Sequence, residues 1–331
     1  MLISRAPVRI TLGGGGTDLA SYYSKHGGFL ISGAINKYMY LCAHATFNPA
    51  IIRLSYSETE YLTDPYKVRH RIFREALRMQ GIKKGIELVS VADVPPNCGL
   101  GSSSAFTVAL LNALHAHQRR YITQAQLAEK ACFIEIDMLK EPIGKQDQYA
   151  SAFGGITCLT FEKNGDVRAE PLRLNAADAI EMESRIMLFY TGIERRASEI
   201  LKEQDAKAKA NDQRVTESLH AIKQIGLTTR KLLESGRLDD FGDLLNEHWQ
   251  TKKRLSVKVS NAFIDECYAD ALKHGALGGK LMGAGGGGFF LFYCPKNKGR
   301  LIKAMERHGL KLMPFRFDLS GAKIVADLST S

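Results

Sequence analysis

The chain lacks several signatures that would assign a function quickly. Its six cysteines are scattered without paired or metal-type spacing, so neither a disulfide framework nor a zinc site is indicated. No apolar run approaches the ~20 residues that a membrane span needs. The first residues, MLISRAPVRI, lack the apolar stretch of a signal peptide, so a reducing cytoplasmic setting is expected. No Gly-Lys is followed by Ser or Thr: Gly144-Lys145 runs into Gln146 and Gly279-Lys280 into Leu281. That excludes the Walker A phosphate loop. Basic runs interleaved with aromatics are also missing, so the net charge of +10 does not point to nucleic acid. It suits a protein that handles several anionic phosphates. With 331 residues, 45% of them hydrophobic, the chain is long enough for two domains.

Glycine is not lacking. Residues 86–94 (IELVSVADV) read as a strand and 102–118 as a helix, with Phe106, Leu110, Ala113, Leu114 and His117 on one face. Between them stand Pro95, Pro96, Asn97, Cys98, Gly99, Leu100, Gly101, Ser102, Ser103 and Ser104. A strand, a Gly/Ser turn and a helix start, with its unpaired N–H groups and positive dipole end, form a phosphate-binding arrangement. An ordinary serine helix cap is the bland alternative. A literal G-x-G-x-x-G occurs at Gly283, Gly285 and Gly288. It precedes the apolar run Phe289–Tyr293 rather than a helix, which removes the dinucleotide reading.

Near the start, a strand over 1–12 runs into Gly13, Gly14, Gly15 and Gly16, then Thr17 and Asp18. Four glycines cost backbone entropy and suit a close approach to a ligand; Asp18 reads equally well as a helix cap. Residues 123–140 read as a core helix, with Glu135 on the apolar face of Ala131 and Met138. A buried carboxylate is expensive unless paired or bound to metal. Asp147 follows in a polar patch bounded by glycines and reads equally well as a solvated loop carboxylate. Beyond residue 180 the pattern becomes helix-rich, with helices near 197–211, 214–235, 238–255 and 261–274. The end reads strand, helix 299–308, strand 312–318 and strand 322–327.

Three glycine-rich stretches stand in order: APVRITLGGGGTD, PPNCGLGSSSA and KLMGAGGGGFF. Together they resemble the GHMP kinase superfamily, over nearly the whole chain. The resemblance implies an α+β fold in two domains, here 1–180 and 181–331: an ATP-binding, catalytic N-terminal domain with a left-handed βαβ unit and a ferredoxin-like C-terminal domain. It implies ATP and Mg²⁺ as cofactors. Pro96, Asn97 and Gly99 to Ser104 (with Leu100, Gly101, Ser102 and Ser103 between) would line the ATP phosphates. Ser103 and Glu135 resemble the Mg²⁺ ligands. Asp147, in IGKQDQY, resembles the catalytic aspartate, and Arg9 the arginine beside it. Lys145 stands close enough in sequence to reach transferred charge.

The galactokinase Glu-His pair is absent, replaced by Gly15-Gly16. Within the superfamily, APVRITLGGGGTDL, GKQDQYASAFGG and YTGIERRAS resemble the D-glycero-D-manno-heptose 7-phosphate kinases of bacterial surface-polysaccharide pathways, which phosphorylate O1. That resemblance implies an acceptor already carrying phosphate. Gly13 to Gly16 (Gly14 and Gly15 included), Thr17, Asp18, Arg195, Lys280, Gly285 and Gly286 are its candidate contacts. A fucose- or galactose-type sugar 1-kinase and a non-catalytic sensor of the same fold stay open as alternatives. The expected partners are small molecules, with no nucleic acid and no membrane; a homodimer is left open.

Overall fold

The computed structural model describes residues 1–194, 197–210 and 212–328. Its frame is two long antiparallel strands, Leu2–Gly13 and Gly28–Ala45, in register from Leu2 opposite Ala43 to Gly13 opposite Ile31. The register shifts between Pro7 and Val8 and again between Thr11 and Gly13. Proline has no N–H to give to a ladder, so a bulge at Pro7 is the expected accommodation. The longer strand forks. Residues 28–33 pair with Ile156–Phe161, and residues 39–45 pair with Ile86–Ala92. Among the described residues this sheet holds eight strands. Four more strands, Lys311–Met313, Ile186–Tyr190, Phe289–Tyr293 and Gly278–Leu281, form a second, antiparallel sheet in that order.

Helix Ser102–His117 packs on the two long strands and is covered by helices Arg71–Met79, Gln124–Cys132 and Gln146–Phe153. Phe106, Leu110, Ala113 and Leu114 are buried as the spacing predicts, but so are Thr107, Val108, Ala109 and Leu111. The helix is enclosed all round rather than amphipathic, and His117 is only half-buried. Each fully buried Leu, Val or Phe contributes ~1.5–3 kcal/mol, so this helix is firmly seated, and with it the turn at its N-terminus.

The helix expected over 123–140 is two pieces. A capping box of Thr123 and Gln126 opens an α-helix at Gln124–Cys132, and a π-helical segment follows at Phe133–Met138. A π turn admits an extra residue per turn, which α periodicity cannot anticipate.

One hydrophobic cluster joins the two sheets: Val8, Ile10 and Leu12 from the first pack with Leu188, Leu291 and Tyr293 from the second and Phe241 from helix Leu238–Lys253. The sheets are thus held in fixed relation. The division expected at residue 180 falls within helix Ala176–Arg185, between the two sheets in sequence. Strand Lys323–Asp327 then returns to the first sheet and pairs with Leu2–Arg5. The strand expected over 312–318 is split: Lys311–Met313 joins the second sheet, while Phe317 bridges Ile35 in the first. No helix among the described residues is long and apolar enough to cross a membrane.

Candidate active site

A cleft of about 810 Å³ opens where the first long strand, the 97–101 turn, helix Gln146–Phe153 and the glycines after strand Gly278–Leu281 converge. Arg9 ties three of these together. Its backbone N–H donates to Leu100 O at 3.0 Å and its Nη1 to Gly99 O at 2.6 Å. Its Nε and Nη2 both reach Asp147 Oδ1 at 2.7 Å. Asp147 is therefore no loose loop carboxylate. It sits in the first turn of helix Gln146–Phe153, an element the sequence pattern missed, with its side chain 25% exposed.

Gly101 caps helix Ser102–His117 at φ 76°. A Cβ at that position would come within 2.9 Å of Asp147 Oδ2. Only glycine allows both this left-handed turn and this approach. Asn97, Gly99, Gly101, Ser102, Ser103 and Ser104 line the cleft. Pro96 is exposed and Leu100 is in the core, so neither side chain belongs to the lining.

Glu135 is 1% exposed and reaches the cleft from the π-helical segment. Its Oε1 accepts from Ser103 Oγ at 3.0 Å and its Oε2 from Gln148 Nε2 at 2.7 Å. Both partners are neutral. Burial, opposed by these hydrogen bonds, pushes its carboxyl up to about 7. A buried carboxylate without a cationic partner, beside a hydroxyl on the cleft wall, suits a hard dication that takes oxygen ligands and keeps several waters. Among the described residues no cluster of three or more His, Cys, Asp or Glu forms a metal site, so a tightly caged metal such as structural zinc does not fit.

Asp18 is 7% exposed and lines the cleft. It does not cap the following helix, Ala20–His26, whose cap position is Leu19. Its Oδ1 accepts from Gly16 N and its Oδ2 from Gln146 N, both at 3.1 Å. Burial raises its carboxyl above the ordinary range, and Asp147 adds to the rise. Gly144 is required beside it, because a Cβ there would fall 1.9 Å from Asp18 Oδ2.

The glycine run divides. Gly15 and Gly16 line the cleft; Gly13 and Gly14 do not. A Cβ on Gly13 would meet Thr229, and one on Gly14 would meet Phe29 O, so these two permit packing instead. Gly16 N–H is already given to Asp18. Thr17 is buried, its hydroxyl 2.8 Å from Gly14 O and 3.0 Å from Phe29 O. Gly285 lines the cleft, whereas Gly286 donates its N–H to Val259 O at 2.8 Å outside it. Arg195 lies outside the described residues. Lys145 points away from the cleft lining: its Nζ contacts Glu129 and Gly165 O.

Lys280 lines the cleft and is 2% exposed. Sequence reasoning missed its neighbours. Its Nζ is 3.1 Å from His248 Nδ1. Lys252 Nζ donates to Leu281 O at 2.9 Å and Gly283 O at 2.5 Å. His248 and Lys252 lie four apart on helix Leu238–Lys253, which reads as an ordinary amphipathic helix. Gln146, whose Nε2 bonds Thr11 Oγ1, and Gln204 were missed as well.

Residues 66–155 match the GHMP kinases N terminal domain, and residues 229–311 match GHMP kinases C terminal. The chain is 31% identical to the D-glycero-alpha-D-manno-heptose 7-phosphate kinase of Campylobacter jejuni, over 97% of each chain. The chain belongs to the GHMP kinase family. A solved heptose 1-phosphate kinase of Bacteroides thetaiotaomicron superposes with a TM-score of 0.82 at 26% identity, covering 99% of this chain and 100% of that one. Lactococcus lactis galactokinase, at 19% identity and a TM-score of 0.78 over 97% and 94% of the two chains, shares the fold. This GHMP kinase is a phosphotransferase with an alcohol group as acceptor, and kinases of this family use ATP as donor. The expected two-domain α+β fold of the family is the fold observed.

Proposed function

We propose that this kinase transfers the γ-phosphoryl group of ATP to the anomeric hydroxyl of a phosphorylated sugar, D-glycero-D-manno-heptose 7-phosphate. One observation carries the chemistry: Asp147 is gripped by Arg9 through Oδ1 while its Oδ2 faces Gly101, at the start of the helix after the phosphate turn. That placement supports reading Asp147 as the group that meets the acceptor hydroxyl beside the donor phosphates. The near full-length similarity to the Campylobacter jejuni heptose 7-phosphate kinase supports the choice of acceptor.

In this reading the N–H groups of the 99–104 turn hold the β- and γ-phosphates and need no rearrangement as charge develops. Ser103 and Glu135 are the groups that would hold Mg²⁺, which when bound neutralises charge on those phosphates. Asp147 Oδ2 takes or orients the proton of the acceptor hydroxyl. Arg9 fixes that carboxylate and, through Gly99 O, the turn that cradles the donor. Asp18 and Gln146 present oxygen and nitrogen to sugar hydroxyls. The product, a 1,7-bisphosphate, suits a route to nucleotide-activated heptose for surface polysaccharide.

The test is a coupled ADP-release assay over heptose 7-phosphate, mannose, galactose and fucose, with loss of the reducing end as the mark of O1 transfer. Heptose 7-phosphate should give the highest kcat/KM. A free sugar with the higher value, or a product that keeps its reducing end, rejects this acceptor and leaves the kinase assignment standing.

A further inference from the structure

Two lysines and a histidine meet in the cleft with no acid among the described residues to balance them. Lys280 and His248 are 2% and 1% exposed, and their nitrogens face each other at 3.1 Å. Lys252 stands on the same helix as His248, one turn on, with its Nζ on two backbone carbonyls. Among the described residues none of the three has a carboxylate partner. Arg9, whose charge the two lysines feel, is already committed to Asp147. An unpaired buried cation is costly, and a protein ordinarily avoids it by pairing. Here all three line an open cleft, where a ligand can supply the missing anion.

Lys252 and Lys280 feel the charge of Arg9. Burial and the two lysines push His248 well below its ordinary range, burial with Lys252 and Arg9 does the same to Lys280, and burial with Arg9 brings Lys252 down to about 7. The cluster is thus short of protons until an anion enters. Gln204 strengthens the case for a ligand in this cleft. It is 6% exposed, lines the cleft beside Gly16, and its Nε2 has no partner among the described residues.

We propose that Lys280, with His248 and Lys252, forms a second anion subsite that receives the phosphate the acceptor already carries. This rests on the reading of the acceptor as a sugar phosphate, and adds the residues that select it. A site built around a charge rejects analogues without that charge, because its own buried groups are left unpaired. The same chemistry could serve the group in transfer instead, and the kinetics separate the two.

The experiment compares wild type, Lys280→Met and Lys280→Arg with heptose 7-phosphate and Mg·ATP. Lys280→Met should raise KM for the sugar phosphate about 10–100-fold with KM for ATP unchanged, since a charge-assisted contact to the phosphate is lost. Lys280→Arg should restore most of it and control for folding. Inorganic phosphate should compete with the sugar phosphate in wild type, and do so less in Lys280→Met. An unchanged KM for the sugar phosphate overturns the subsite while the acceptor reading stands. A loss in kcat alone also overturns it, assigning the lysine to the transferred group. A wild-type enzyme that prefers free sugars removes the acceptor reading and the subsite together.

Discussion

Arg9 holds one oxygen of Asp147 with two nitrogens, each at 2.7 Å, and leaves the other oxygen turned toward Gly101. The two residues are 138 positions apart. One carboxylate oxygen is thereby structural and the other available for chemistry.

Asp147→Asn keeps the shape and can still accept from Arg9. We expect an intact fold, unchanged ATP binding and a fall in kcat of roughly 10²–10⁴. Steady-state kinetics with a fluorescent nucleotide binding assay checks this. Turnover within a few-fold of wild type rejects Asp147 as the proton acceptor.

Gly101→Ala puts a methyl group against that free oxygen in a backbone region alanine disfavours. The added Cβ meets Asp147 Oδ2 at 2.9 Å and Cγ at 3.0 Å. Stability should drop by ~1 kcal/mol or more from strain, and kcat should fall at least about tenfold through displacement of the carboxylate. Urea melts and kinetics on the same preparation measure both. A variant with wild-type kcat shows that Asp147 tolerates the shift.

Ser103→Ala and Glu135→Gln should each raise the Mg²⁺ concentration needed for half-maximal rate. Superimposable Mg²⁺ titrations for both variants and wild type would discard this metal site.

Glu135 also predicts a pH dependence of stability. Its folded carboxyl titrates near 7 against an ordinary 4.5. Below pH 4.5 both folded and unfolded chains hold the proton, and burial costs nothing extra. As pH rises toward 7 the unfolded chain ionises first, so the wild-type fold loses stability. Glu135→Gln avoids this loss. In chelator-treated protein its urea midpoint should exceed that of wild type increasingly from pH 4.5 to 7, then level off. A gap that is flat or shrinks with pH contradicts an uncompensated carboxylate.

Lys252→Met removes the tie between helix Leu238–Lys253 and the carbonyls of Leu281 and Gly283. Gly283 packs on Gly99, where an added Cβ would come within 2.7 Å of Gly99 Cα. The loss should therefore reach the phosphate turn and raise KM for ATP a few-fold, on top of the weaker grip on the sugar phosphate expected from the anion subsite. Hydrogen exchange at residues 281–288 should quicken; unchanged exchange there dismisses the tie.

Much of this site was legible because its signals are local. The 97–104 turn follows a β-branched strand and precedes a helix, and Glu135 stood out as a carboxylate on an apolar face. What escaped depends on contacts distant in sequence or on departures from regular periodicity. Helix Gln146–Phe153 has only eight residues, too few for a hydrophobic stripe to declare itself, so Asp147 looked like a loop residue. The π-helical segment cannot be read at 3.6 residues per turn. Lys252 and His248 sit on a helix whose polar positions resemble solvated surface, and only the fold turns them toward strand Gly278–Leu281. Gly13 and Gly14 read as ligand contacts in sequence because the need for glycine in close packing looks the same there as the need for glycine near a ligand.

Strand Lys323–Asp327 covers the Leu2–Arg5 end of the outer edge of strand Leu2–Gly13. The two partners are distant in sequence, so that edge stays open until the fold brings them together. Until then its N–H and C=O groups stand unpaired, a surface on which other chains can add. Loss of strand Lys323–Asp327 would then harm solubility before it harmed catalysis, since no residue of that strand lines the cleft.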